Sequence, residues 1–254
     1  MIEFSIVIYA LIIGSFLNVL IYRLPLEESF FKPLRSACPN CSHQLKWYEN
    51  IPVISYLFLR AKCSSCKTHI SIIYPVVEII SVIIAYTLYI KLGLNTNYFV
   101  VLFLFYTLLV LSFIDFKYKA VPDYLLLIIL INILFINNID FQALLIFTGG
   151  FVLLDFVLTF YIQNIKAKIT KNDDLREQTA LGEGDIPIVA IIGGLLGIKL
   201  AMIAVFIASI TAILPSIYNM INKDDIETPF IPFLVLGLFI VYIYDSLLLN
   251  YIGI

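Results

Sequence analysis

Residues 181–186 read Leu-Gly-Glu-Gly-Asp-Ile, and Asp185 is the last charged residue before Lys199. A carboxylate at the mouth of an apolar run is costly unless it is paired or used. A second such boundary reads LSFIDFKYKAVPDYLLL: Asp115 closes one apolar run and Asp123 opens the next, across a basic, proline-containing turn. Two carboxylates brought together do not both ionise cheaply; one keeps a proton while the other activates a water. That pairing can hydrolyse an amide, one acid deprotonating the water and the other protonating the amide oxygen. Asp115 and Asp185 are the candidate pair, with Asp123 in support. Gly182 and Gly184, on either side of Glu183, leave room for a substrate backbone beside Asp185. The competing roles are plain ones: acids at helix ends anchor helices at the interface, and Asp123 stands where a helix cap would. Glu78, Asp155 and Asp245 are further acids of the apolar runs. Asp155 lies well inside its run (FVLLDFVLTF), where an interhelical hydrogen bond is the plainer expectation.

The second constellation is Cys38-Pro-Asn-Cys41 and Cys63-Ser-Ser-Cys66, two C-x-x-C knuckles separated by 21 residues. Four thiolates at this spacing match a zinc ribbon, and a four-cysteine shell is structural because it leaves no open position for a substrate. Two disulfides or a redox pair are the alternatives; a reducing compartment disfavours the first. His43 and His69 stand near the knuckles, but four thiols already complete the shell. With only these two histidines, a histidine-ligated catalytic metal is disfavoured. An intramembrane serine protease is disfavoured too, because neither histidine falls in an apolar run to serve as base.

The elements that must position these groups follow from composition. The chain is 61% hydrophobic and 13% charged, with mean hydropathy +1.00, against about 25% charge in a soluble domain. Apolar runs fall at 2–22, 70–92, 98–114, 123–139, 143–163, 186–198, 199–221 and 229–252. They predict an all-α polytopic membrane protein of about eight transmembrane helices. The first run lacks a basic leader and a small-residue cleavage site, so it is expected to be retained. Residues 1–22 form the first span, 23–69 a small cytoplasmic zinc-ribbon-like loop domain, and 70–254 the membrane domain with both acids. Glycines 193, 194 and 197, followed by Lys199, mark the expected turn within 186–221. With the N-terminus outside, the inner loops 23–69, 115–122, 164–185 and 222–228 hold 7, 2, 4 and 1 Lys or Arg of the chain's 16. The positive-inside rule then puts both termini outside and both aspartates on the cytoplasmic side. The run 186–198 spans only about 20 Å of a core about 30 Å thick, which holds Asp185 in a shallow, water-reachable site. Net charge of −2 gives no hint of nucleic-acid binding.

Taken in order, the motifs resemble those of the prepilin peptidases, the type IV prepilin leader peptidases and N-methyltransferases of the GxGD class of membrane aspartyl proteases. GSFLNVLIYRLP (Gly14 to Pro25) resembles the family's opening motif. The paired knuckles follow, then IYPVVE up to Glu78, IDFKYKAVPD, GEGD (Gly182 to Asp185) and TPFIPFL near the last run. The resemblance implies Asp115 and Asp185 as catalytic, in a multi-pass protein of the bacterial cytoplasmic (inner) membrane in contact with membrane lipid. The implied substrates are type IV prepilins or type II secretion pseudopilins, cut after a basic leader at the cytoplasmic face. It further implies S-adenosylmethionine as methyl donor for the new N-terminus, with Gly14, Asn18, Arg23 and Glu78 as candidates for that transfer. Asp173, Asp174, Glu177 and Glu183 could attract the basic leader, although a solvated loop is the commoner explanation. One departure is Pro187, where the family usually carries lysine; proline suits a first helical turn. Two rival readings stand beside this one: a peptidase without methyl transfer, and a non-catalytic scaffold or transporter with a zinc-ribbon docking loop.

Overall fold

The computed structural model describes residues 1–26, 36–170, 173–182, 184–222 and 228–252. Glu183 and the side chain of Asp174, two of the acids expected near a basic leader, lie outside the described residues. The chain forms two compact units, Met1–Pro122 and Asp123–Ile254. The described residues form helices, turns and two isolated β-bridges, with no strand among them.

In the first unit, α1 (Ile2–Arg23) packs on α3 (Ile73–Leu92) and α4 (Thr96–Tyr118), while the Cys loop between α1 and α3 carries the short α2 (Ile54–Phe58). Asn95 starts α4 by accepting the Tyr98 N–H on its side chain at 2.8 Å, the hydrogen bond an N-cap exists to make. At the other end Lys119 takes a left-handed conformation (φ 52°) and its N–H closes on the Asp115 carbonyl at 2.9 Å. α4 is the most enclosed of the described membrane-length helices, through Leu104, Phe105, Leu108, Leu111 and Ile114. The α1–α3 crossing is close because Gly14 has no side chain: a Cβ there would lie 2.9 Å from the Glu78 Cα. Across this seam the Ser81 hydroxyl donates to the Ala10 carbonyl at 2.9 Å and the Asn18 amide to the Tyr74 carbonyl at 3.1 Å.

The second unit runs α5 (Asp123–Ile133), α6 (Phe141–Phe160), a π-helical turn (Tyr161–Lys166), α7 (Ala167–Thr170), α8 (Asp185–Asn222), α9 (Ile231–Ile243) and α10 (Asp245–Ile252). α8 packs against α6 and α9. Its two expected runs are joined in one path broken at Gly197, whose φ of 69° and ψ of 172° are closed to residues with a side chain. Of the three glycines expected to turn the chain, only this one does. Gly193 and Gly194 stay helical and serve close approach instead: a Cβ on Gly193 would lie 2.8 Å from the Ala143 carbonyl of α6. Asp140 braces the break, its N–H donating to the Gly194 carbonyl at 3.0 Å while its carboxylate caps α6 at Ala143 N–H, 2.9 Å. The run 229–252, expected as one helix, bends by 74° between α9 and α10 where Tyr244 leaves helical geometry.

Each expected apolar run contains a helix, although the run 123–139 is helical only to Ile133. Among the described residues, five helices are long and apolar enough to cross a membrane, six with the bent pair, and α5 is a shorter apolar helix. Large apolar side chains such as Phe4, Ile12 and Phe16 on α1, and Leu153, Phe156 and Phe160 on α6, stay exposed. Lipid needs no burial of such groups, while helices satisfy the backbone internally. This is the surface of an integral membrane protein.

Candidate functional site

Among the described aspartates, two are buried: Asp115, 8% exposed in the last turn of α4, and Asp185, 6% exposed at the first residue of α8. Asp123, at the start of α5, is exposed, and Asp155 and Asp245 are half-buried. Burial therefore separates the two expected partners from the other aspartates, because an unused acid has no reason to leave water. Asp185 closes its own turn in both directions: the Gly182 N–H donates to Oδ2 at 3.2 Å, and the Asp185 N–H donates to the Gly182 carbonyl at 3.0 Å. Gly182 is exposed and Gly184 buried. Pro187 falls in the first turn of α8, where its missing N–H costs no helical bond.

The Cys loop folds as two copies of one turn. The Cys38 N–H donates to the His43 carbonyl and the Cys63 N–H to the Thr68 carbonyl, both at 2.9 Å, and antiparallel bridges join Ala37 to Gln44 and Lys62 to His69. The residue after each second cysteine, Ser42 (φ 56°) and Lys67 (φ 60°), is left-handed, a conformation that costs about 1 kcal/mol without glycine. The turns bring four Sγ atoms within 4.8 Å of one another, Cys38 to Cys66 at 3.8 Å and Cys41 to Cys63 at 4.0 Å. Disulfide sulfurs would be about 2 Å apart, and all four cysteines are free. A tetrahedral zinc with Zn–S of about 2.3 Å sets its sulfurs about 3.8 Å apart, so the donor set fits that ion. Hydrogen bonds from the Thr68 hydroxyl and N–H pull the Cys66 thiol down to about 5, and the Asn40 and Cys41 N–H groups lower Cys38. The His43 N–H acts on Cys41 in the same sense, but burial and the neighbouring thiols outweigh it and lift that group to about 11. Four thiolates this close repel one another, and a cation among the sulfurs would offset that repulsion.

Sequence reading missed Glu49. Its buried carboxylate accepts the Lys46 N–H at 2.8 Å and lies 3.4 Å from His43 Nε2. Bonding to Ser64 and to Lys46 holds it below the usual carboxylate range and ties the first knuckle to the second. The Lys46-x-x-Glu49 spacing, an acid three residues into a helical turn, was the available signal.

The four methyl-transfer candidates lie on α1 and α3. Gly14 sits in the seam, Asn18 donates to the Gly14 and Tyr74 carbonyls, and half-buried Arg23 ends α1. Buried Glu78 accepts the Val53 N–H at 2.7 Å, which secures the loop where Val53 adopts a strained φ of 60°. A pocket of about 260 Å³ opens nearby, with Ser15, Ser36 and Asn50 among Ile12, Phe16, Val19 and Pro52. Its lining is mixed polar and apolar, and its volume falls below that of ordinary ligand sites (about 300–1,000 Å³).

Residues 8–92 match the bacterial peptidase A24 N-terminal domain, and residues 102–217 match the type IV leader peptidase family. The chain is 37% identical to a prepilin leader peptidase/N-methyltransferase of Vibrio cholerae, over 84% of this chain and 83% of that protein. The chain belongs to the type IV leader peptidase family. Family members so named in Legionella pneumophila (31% identity, 97% of this chain, 93% of the relative) and Neisseria gonorrhoeae (29%, 85% and 82%) align over similar lengths. No solved structure matches the chain. The two family matches take in both acid-bearing helix ends and the whole Cys loop.

Proposed function

We propose that the chain is a membrane aspartyl endopeptidase that removes the basic leader from type IV prepilins or pseudopilins at the cytoplasmic face, then methylates the new N-terminal residue. Family membership supports the reaction class, and the observation that carries the assignment is the burial of Asp115 and Asp185 at helix ends. In this reading one of the two carboxylates takes a proton from water while the other protonates the scissile carbonyl, and the product amine recovers the proton. Gly182 and Gly184 leave space for the substrate backbone, and Asp123 supports the turn after Asp115. The distribution of Lys and Arg supports a cytoplasmic Cys loop with both termini outside. Residues 23–69 act as a loop domain on the membrane domain 70–254, and Cys38, Cys41, Cys63 and Cys66 hold a structural zinc. When bound, S-adenosylmethionine supplies an electrophilic methyl group. In this reading Gly14, Asn18 and Glu78 act from the α1–α3 seam and not from the pocket lining, and Arg23 adds a cation at the end of α1.

The test is processing of a co-expressed prepilin by Asp115→Asn and Asp185→Asn. Each variant should fold and leave the leader in place; normal cleavage by either refutes the pair. Mass spectrometry of the wild-type product then reads the second activity. A mature N-terminus heavier by one methylene supports methyl transfer, and an unmodified one limits the protein to peptidase chemistry.

A further inference from the structure

Asp155, the acid that sequence placed deep in an apolar run, belongs to a row on one side of α6 and its π-helical extension. Asp155, Thr159 and Gln163 are half-buried in a stretch whose residues 152–154, 156–158, 160 and 161 are all exposed. In an α-helix a four-residue step drifts by about 40° around the axis. The wider π turn that begins at Tyr161 holds more residues per turn and brings Gln163 back into line.

Each member of the row holds a backbone group of residues 178–181, the segment that leads into the Gly182–Asp185 turn. Asp155 Oδ1 accepts the Leu181 N–H at 3.1 Å and the Thr159 hydroxyl at 3.3 Å. Thr159 Oγ1 in turn accepts the Ala180 N–H at 3.0 Å, and the Gln163 amide donates to the Gln178 carbonyl at 3.0 Å. The segment has little apolar packing to hold it, since Gln178 and Thr179 are exposed and Ala180 and Leu181 only half-buried. One peptide group further on, the Gly182 N–H donates to the Asp185 carboxylate at 3.2 Å.

We propose that Asp155, Thr159 and Gln163 are positioning residues, a side-chain clamp that fixes 178–181 and so sets where the Asp185 carboxylate points; this rests on Asp185 being catalytic. The clamp uses Asp155 as a hydrogen-bond acceptor and not as a charge. Asparagine keeps the acceptor oxygen, whereas alanine removes it.

The test measures kcat and KM on a prepilin substrate, together with hydrogen exchange of the peptide containing Ala180 and Leu181, in purified full-length protein. Asp155→Ala should lower kcat by about 10- to 100-fold, the scale of a misplacement of about 1 Å, with KM within about 3-fold and exchange at 180–181 accelerated. Asp155→Asn should restore both readouts to within about 3-fold of wild type. Thr159→Val should behave like the alanine variant and Thr159→Ser like wild type, which keeps the comparison available should Asp155→Ala fail to fold. Wild-type kcat and exchange in Asp155→Ala overturn the clamp, and so does an asparagine variant as impaired as the alanine one. Asp185→Asn is measured in parallel: cleavage by that variant removes the catalytic reading, whereas unchanged exchange in Asp155→Ala removes the clamp. The two failures therefore appear in different measurements.

Discussion

Gly14→Ala tests the tightness of the α1–α3 seam. The added methyl would sit against the Ser81 hydroxyl and 2.9 Å from the Glu78 Cα. Ser81 can rotate away, but the Glu78 backbone cannot, so α1 must withdraw from α3 until an ordinary carbon contact of about 3.5–4.0 Å is restored. That displacement stretches the Ser81–Ala10 bond, now 2.9 Å, and the Asn18–Tyr74 bond, now 3.1 Å, beyond useful length. Overpacking costs about 1–3 kcal/mol, and interhelical bonds in membranes average about 0.6 kcal/mol each, which together gives about 2–4 kcal/mol. For a chain of this size each kcal/mol lowers the melting temperature by about 2–4 °C. Circular dichroism of the protein in detergent should therefore show a fall of about 4–16 °C on the same scale. Ser81→Gly in the alanine background should recover part of the loss, because it clears two of the three crowded atoms. A Gly14→Ala protein melting with wild type would refute the crossing geometry, and with it the account of why glycine stands there.

Gly197→Ala forces a side chain into a region used essentially by glycine alone, and should cost about 1–3 kcal/mol, again read as a lowered melting temperature; an unchanged melt would mean that the helix runs straight. Metal analysis should find about one zinc per chain, absent after Cys38→Ser or Cys63→Ser, and chelation should expose the loop to protease before the membrane helices unfold. Glu49→Ala removes the acceptor of the Lys46 N–H, at a cost of about 0.5–1.5 kcal/mol for the lost hydrogen bond. It should weaken zinc retention while the intact membrane domain still cleaves; loss of cleavage with zinc fully retained would contradict that separation.

The sequence carried the hydropathy of every membrane helix, because lipid imposes a long apolar run, and it carried both cysteine turns, because metal ligation imposes spacing. It also singled out the two aspartates that prove buried. It did not carry what depends on partners far along the chain. Gly193, Gly194 and Gly197 look alike in sequence, yet only Gly197 breaks the helix; Gly193 stays helical and the approach of Ala143 leaves no room there for a side chain. The bend at Tyr244 leaves no mark in a continuous apolar run. For Asp155 the sequence suggested an interhelical hydrogen bond; its partners are instead Thr159 on its own helix and the Leu181 N–H, with the Ala180 N–H on Thr159, backbone groups more than 20 residues on of a kind that every residue but proline has.

The Asp155–Thr159–Gln163 row also ties the rotational phase of the far end of α6 to the segment 178–181. Ala143 and Phe147 pack the start of α6 on α8, but residues 152–154, 156–158, 160 and 161 are exposed, and the outward leucines and phenylalanines there can be exchanged for other apolar residues at small cost. A single residue inserted between Asp155 and Thr159 is another matter. It would turn everything beyond it by about 100°, carrying threonine and glutamine toward hydrocarbon and unthreading the lead-in to the second aspartate. For this helix, substitutions facing lipid are cheap, while changes in length between the polar rungs are not.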